Sequence, residues 1–289
     1  MAARQKTRDG ARGIGMFKSF RYHMSVAYVQ MKLDSKSNWT YRSYLVPYLF
    51  GVPIELFSGF YVLQAVMSRV GELSGWVFPQ VAFLYSMSLF SHGLEDLFFV
   101  QGRNIDRYII NGEYDRMLLR PVSVFFQFTT SVFNWVGFFS VLPGIAILVY
   151  ALILLEMTLT PLLVFYILII ITSGTLIRAA ILYMIGCIAF WTKSNSSLVR
   201  LNLTLKERTT QFPFTMYPHW FRMLFTFMVP MGFITFYPVS GLVGAPSGVD
   251  FPMPLDLMVW PPLVAVLMFS LARGLFNYAM RAKYESAGS

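Results

Sequence analysis

The chain has 289 residues, 56% of them hydrophobic and 13% charged, with a mean hydropathy of +0.57 and a formal net charge of +9. Soluble globular domains carry about 25% charged residues, so this composition excludes one and points to an all-α polytopic membrane protein. The basicity is no nucleic-acid footprint, because it is confined to alternate connections.

Residues 1–43 form a basic N-terminal region with nine Lys/Arg before the first apolar stretch. Residues 1–13, rich in Arg, Gly and Ala, read as disordered. Phe17, Phe20, Met24, Ala27 and Met31 then recur at three- and four-residue spacing, flanked by Lys18, Arg21 and Lys32. That pattern predicts an amphipathic helix lying in the headgroup layer. No compact apolar region with a small-residue cleavage site precedes it, so no removed signal peptide is expected.

Six stretches reach the roughly 20 apolar residues a span requires: 44–67, 76–98, 125–155, 162–191, 221–243 and 257–280. Lipid leaves no partner for an open backbone, so they are expected to be helices within one 44–280 domain, followed by a short 281–289 tail. The alternate connections hold only Arg69, since 156–161 and 244–256 contain no Lys or Arg. The other connections carry Arg103, Arg107, Arg116 and Arg120, then Lys193, Arg200, Lys206 and Arg208. By the positive-inside rule both termini are cytoplasmic. The sequons at Asn38, Asn195 and Asn202 then fall on the inner side and are not glycosylation sites.

Glu55 lies midway along the first stretch and Arg178 at a similar depth in the fourth. An unpaired ion there costs at least about 2.5–3.5 kcal/mol, so the two are expected to pair, either to fix helix packing or as pathway or gate residues. Gly71 and Gly75, at the outer edge of the second stretch, make a weak helix-packing motif. His92, Glu95 and Asp96 share a helical face near the inner end of that stretch. Such a group could hold a proton or a metal, but more often it is a polar end touching a neighbouring loop. Arg273 near the inner end of the sixth stretch is expected to snorkel.

The connection 102–121 carries seven charges between the second and third stretches. Ile105, Tyr108, Ile109, Tyr114, Met117 and Leu118 supply apolar contacts; Asp106, Arg107, Glu113, Asp115, Arg116 and Arg120 supply charge. Gly112 permits a tight break between two short helical pieces, and Pro121 ends the second. A short amphipathic element of this kind suits docking in a groove on a soluble partner. The fifth stretch is interrupted by Pro230, Gly232, Pro238, Gly241 and Gly244, and the segment from about Tyr237 to Asp256 reads as broken or re-entrant.

No phosphate-binding loop, His-Glu-x-x-His helix or Gly-x-Ser-x-Gly elbow occurs, so no catalytic residue is assigned. Cys187 is the only cysteine, so no Cys-based metal site is expected, and no metal-ligand set is assigned. Two other classes stay open. An ion-coupled secondary transporter would act alone and typically show repeats and several intramembrane carboxylates. A lipid-modifying enzyme would need a His/Asp/Glu cluster at one interface, which only His92, Glu95 and Asp96 approach.

The run Gly112-Glu-Tyr-Asp-Arg-Met-Leu-Leu-Arg-Pro-Val-Ser123 resembles the G-x-x-D-x-x-L-x-R-P-x-S signature of permease subunits of type-2 ATP-binding-cassette transporters. The likeness extends over essentially the whole chain and is closest to a bacterial six-span group. It implies that 102–121 is a coupling helix seated on a separate ATPase, which would bind ATP and Mg. The role falls on Asp106, Gly112, Asp115, Leu119, Arg120 and Pro121, with Glu113 and Arg116 in the same charged run. The resemblance further implies an exporter in which two identical or related permeases pair with two ATPase subunits in the bilayer.

Overall fold

A computed structural model describes residues 45–248 and 259–284, with positions 25, 28, 29, 32 and 43 ahead of them and the side chains of 207–209 excepted. The expected stripe of Phe17, Phe20, Met24, Ala27 and Met31 lies outside the described residues, as does 249–258 of the segment read as re-entrant.

The first apolar stretch is helix α1, Leu45–Val70, which buries only Phe60, Leu63 and Met67. It ends in a tight hairpin pairing β1, Glu72–Leu73, with β2, Trp76–Val77. Gly71 and Gly75 adopt φ of 81° and 85° there. The two glycines therefore form a turn that side chains with a Cβ would strain, rather than a helix-packing motif. Helix α2, Phe78–Phe99, follows and is buried along most of its length.

The chain then forms a 3-10 turn, Val100–Asn104, and two short helices, α3, Ile105–Ile110, and α4, Glu113–Leu118. The stretch expected as one helix over 125–155 is broken into α5, Val124–Thr129, and α6, Gly137–Leu154. Asn134 accounts for the break. Its backbone N–H donates to the Leu97 carbonyl at 3.1 Å, and its side-chain oxygen accepts from Val136 N at 3.2 Å. An Asn that satisfies its neighbours in this way favours a turn over a continuing helix.

The fourth stretch is α7, Pro161–Cys187, opened by a Thr160 side-chain cap and extended by α8, Ala189–Thr192. Helix α9, Ser196–Thr210, occupies what the sequence reads as a connection. The fifth stretch is α10, His219–Met223, a π turn, Leu224–Met228, a 3-10 turn, Met231–Phe233, and α11, Phe236–Val243. The break falls at Pro230, the first of the interruptions read from the sequence and ahead of the segment beginning near Tyr237, since the residue before a proline is steered out of helical geometry. Pro238 is tolerated because it sits in the first turn of α11, where its missing N–H would have no helical partner. Helix α12, Trp260–Lys283, closes the described chain.

Four of these helices are long and apolar enough to cross a membrane: α1, α6, α7 with α8, and α12. Helix α2 has comparable length but carries His92, Glu95 and Asp96, and it sits at the centre, packed on α6 and α7. The α2–α6 crossing is close. A Cβ on Gly137 would stand 2.5 Å from the Gly93 carbonyl oxygen. Helix α1 flanks α6, and α12 flanks α7. At the α2 N-terminal end, the Trp76 indole donates to Pro246 O at 3.0 Å, which ties the chain beyond α11 to the hairpin.

Candidate functional site

At the other end of α2, helices α3 and α4 form one compact element. Gly112 joins them in the left-handed conformation, φ 65° and ψ 23°, the break its sequence position requires. Tyr114 anchors the element. It is fully buried, with ring centroids 5.6 Å from Tyr108, 5.5 Å from Phe128, 6.0 Å from Phe190, 5.9 Å from Phe276 and 5.6 Å from Tyr284. One side chain thus packs against α3, α5, α8, α12 and the chain beyond α12. Burial pushes the Tyr114 phenol well above its ordinary range. Gln127 of α5 closes the turn at Pro121 by donating to Met117 O at 3.0 Å and Val122 O at 2.8 Å.

The charges of this element divide by sign. Asp106 accepts from Arg107 N at 2.8 Å and from Asn195 N, at the start of α9, at 3.4 Å. Asp115 accepts from the Tyr284 hydroxyl at 2.9 Å, and Glu113 accepts from Asn111 at 3.2 Å. All three acids are therefore engaged within the chain. Arg107, Arg116 and Arg120 are exposed, together with Ile110, Leu118, Pro121 and Leu119, the last at 86%. The outward face is basic and apolar, which the mixed charges of the sequence did not reveal.

A second polar cluster lies between α2, α7 and α9. Glu95 is fully buried and receives the Lys206 ammonium on one oxygen; Arg178 Nε stands 3.5 Å from the other. Arg178 also donates to Thr210 at 3.3 Å, and Thr210 is bonded to Ser88 at 2.7 Å. Asp96 pairs with Arg103 and lies 3.9 Å from His92. The expected Glu55–Arg178 pair does not form. Glu55 makes no ion pair among the described residues, because Glu95 sits closer to Arg178 on the adjoining helix. Glu55 and Arg178 nevertheless line one cavity of about 350 Å³, with Tyr85, Ser88, His92 and Asp96.

Lys206 was missed because it falls in a stretch that reads as a solvated connection. Helix α9 buries Val199, Asn202, Lys206 and Thr210, which recur at three- and four-residue spacing, and exposes Leu198 and Leu201. The buried stripe of this helix is largely polar, whereas that of a soluble helix is apolar. That periodicity was the available signal. Burial pushes the Lys206 ammonium down to about 8 from an ordinary 10.5, against the opposing pull of Glu95. Among the described residues no group of three or more His, Cys, Asp or Glu could hold a metal ion.

Long apolar helices around a polar, ion-paired centre define a multi-pass α-helical membrane protein. A family model described as ABC-2 family transporter protein matches residues 53–288. The chain belongs to that family, and with it to the permeases of ATP-binding-cassette transporters. The match covers the hairpin, the α3–α4 element and the buried charge cluster alike. No curated protein and no solved structure matches the chain.

Proposed function

We propose that the chain is the membrane-spanning permease subunit of an ATP-driven exporter, with six crossings and both termini on the cytoplasmic side of a bacterial inner membrane. Two copies, or two related chains, form the translocation pathway. The α3–α4 element docks on a separate ATPase that binds ATP and Mg. Arg116, Leu119, Arg120 and Pro121 make the contact, while Asp106, Gly112, Glu113 and Asp115 hold the element in shape. Glu55 and Arg178 line the pathway, in the polar cavity between α1 and the helix core. ATP binding draws the two ATPases together, and the bundles rock between inward and outward arrangements.

The observation that carries this reading is the outward face of the element, three arginines beside exposed Ile110, Leu118 and Leu119. Exposed apolar side chains ringed by one sign of charge suit a groove that is apolar at its base and acidic at its rim. The test is co-purification of an ATP-binding-cassette ATPase with the tagged chain from native membranes in mild detergent. A triple variant, Arg107→Glu, Arg116→Glu and Arg120→Glu, is expected to lose an ATPase that the wild type retains. Equal capture by both chains, or capture by neither, overturns the docking role.

A further inference from the structure

The break between α5 and α6 has a spatial consequence. It opens a cavity of about 580 Å³ against α2 and α12, within the range of about 300–1,000 Å³ that ligand sites occupy. Its wall is aromatic, with Phe98, Phe99, Phe125, Phe126, Phe133 and Phe269. Among its described lining residues a single side chain is charged, Arg273, one helical turn beyond Phe269 on α12. Ser123, Thr129 and Thr130 add hydroxyls to the same wall.

Arg273 is exposed and makes no ion pair or hydrogen bond among the described residues. It lies ten residues before Lys283, or about 15 Å along the helix, on a helix that also exposes Leu263, Val266, Leu267 and Leu271. A guanidinium beside hydrocarbon is costly unless an anion or water meets it. Basic pockets between membrane helices are met by anionic lipid head groups, and a planar guanidinium grips a phosphate with two parallel hydrogen bonds.

We propose that this cavity is a binding site for one acyl chain of an anionic phospholipid from the surrounding bilayer, with its phosphate on Arg273. The charge complementarity of a lone cation over an aromatic trough selects this occupant. The site rests on the membrane location of the chain and is independent of ATPase docking. Its consequence is positional. Phe125 belongs to the buried aromatic cluster that holds Tyr114, so a bound chain buttresses the α3–α4 element from behind.

The experiment uses the full chain in mild detergent, supplied with equimolar phosphatidylglycerol and diacylglycerol, which lacks the phosphate, bearing identical acyl chains. Bound lipid and copy number are read by native mass spectrometry. The wild type is expected to retain the anionic lipid about tenfold over the neutral one, the scale of one charge-assisted contact. Arg273→Gln should abolish that preference while leaving neutral-lipid occupancy unchanged, and Arg273→Lys should restore most of it. Val132 also lines the cavity, and Val132→Trp, which fills it, should displace both lipids. An undiminished preference in Arg273→Gln overturns the proposal. So does lipid retained by Val132→Trp, or a change in copy number on filling the cavity without loss of lipid, which would make a second chain the occupant.

Discussion

The hydroxyl of Tyr284 donates to the Asp115 carboxylate at 2.9 Å, and its ring meets Tyr114 edge-on at 5.6 Å. The end of the described chain is thereby clasped to the α3–α4 element, 169 residues away in sequence. A hydrogen bond to a charged group contributes about 1.5–3 kcal/mol when sheltered and less when half-exposed. Tyr284→Phe keeps the ring and removes the bond. Backbone amides of Glu113–Leu118 are expected to exchange several-fold faster with deuterated solvent. Unchanged protection there would show that the ring contact alone holds the clasp.

Tyr114 presents the opposite case. Its hydroxyl is buried without a hydrogen-bond partner among the described residues. An unpartnered buried hydroxyl costs about 1–3 kcal/mol, so Tyr114→Phe should match or exceed the wild type in thermal stability in detergent. Tyr114→Ala empties the centre of the aromatic cluster and should cost about 3–5 kcal/mol. Comparable losses from both substitutions would mean that the hydroxyl has a partner after all.

Glu95 faces two cations, so its removal is more serious than the loss of either. Glu95→Gln leaves Arg178 and Lys206 buried together and is expected to cost about 3–5 kcal/mol. Adding Lys206→Met should recover part of that loss, because one uncompensated charge goes with it. Melting curves of the single and double variants decide the matter, and strict additivity would disprove the coupling.

The same lysine predicts a pH dependence. The unfolded chain holds the Lys206 proton up to about 10.5, whereas the folded chain holds it only to about 8. Between those values the unfolded state binds more protons, so the contribution of this group to stability rises with pH across that window and is flat below it. Melting temperatures of wild type and Lys206→Met, measured in parallel from pH 7 to 10.5, should diverge in slope. Parallel profiles would remove Lys206 as a titrating group.

Glu55 and Arg178 should separate experimentally. Glu55 has no ionic partner among the described residues, so Glu55→Gln is expected to change melting by no more than about 0.5 kcal/mol. If the cavity is the pathway, its transport activity in proteoliposomes should still fall. Arg178→Gln should destabilise the fold, and Glu55→Arg should fail to rescue Arg178→Glu. A rescue would restore the Glu55–Arg178 pair that the geometry rules against.

Much of the element joining α2 to α5 was legible in the residues themselves. Gly112 between two short amphipathic pieces, with Pro121 beyond, prescribes a turn and a stop from local backbone sterics alone. Local rules also placed the long helices within a few residues. They failed at Asn134, whose turn is stabilised by Leu97 on another helix, whereas at Pro230 the local rule of the residue before a proline held.

Composition, charge asymmetry and the Gly112–Ser123 run determined by themselves that this is a multi-pass helical membrane protein with a polar element after its second apolar stretch. Those properties are sums and periodicities along one segment, which a chain carries before it folds. Tertiary structure alone decided that Arg178 belongs to Glu95, that Lys206 is buried, and that the acids of the α3–α4 element are engaged within the chain while its arginines face out. Each of these outcomes depends on which of several distant partners comes within a few ångströms. Coulomb and hydrogen-bond energies change steeply over that distance, and spacing along the sequence does not encode it.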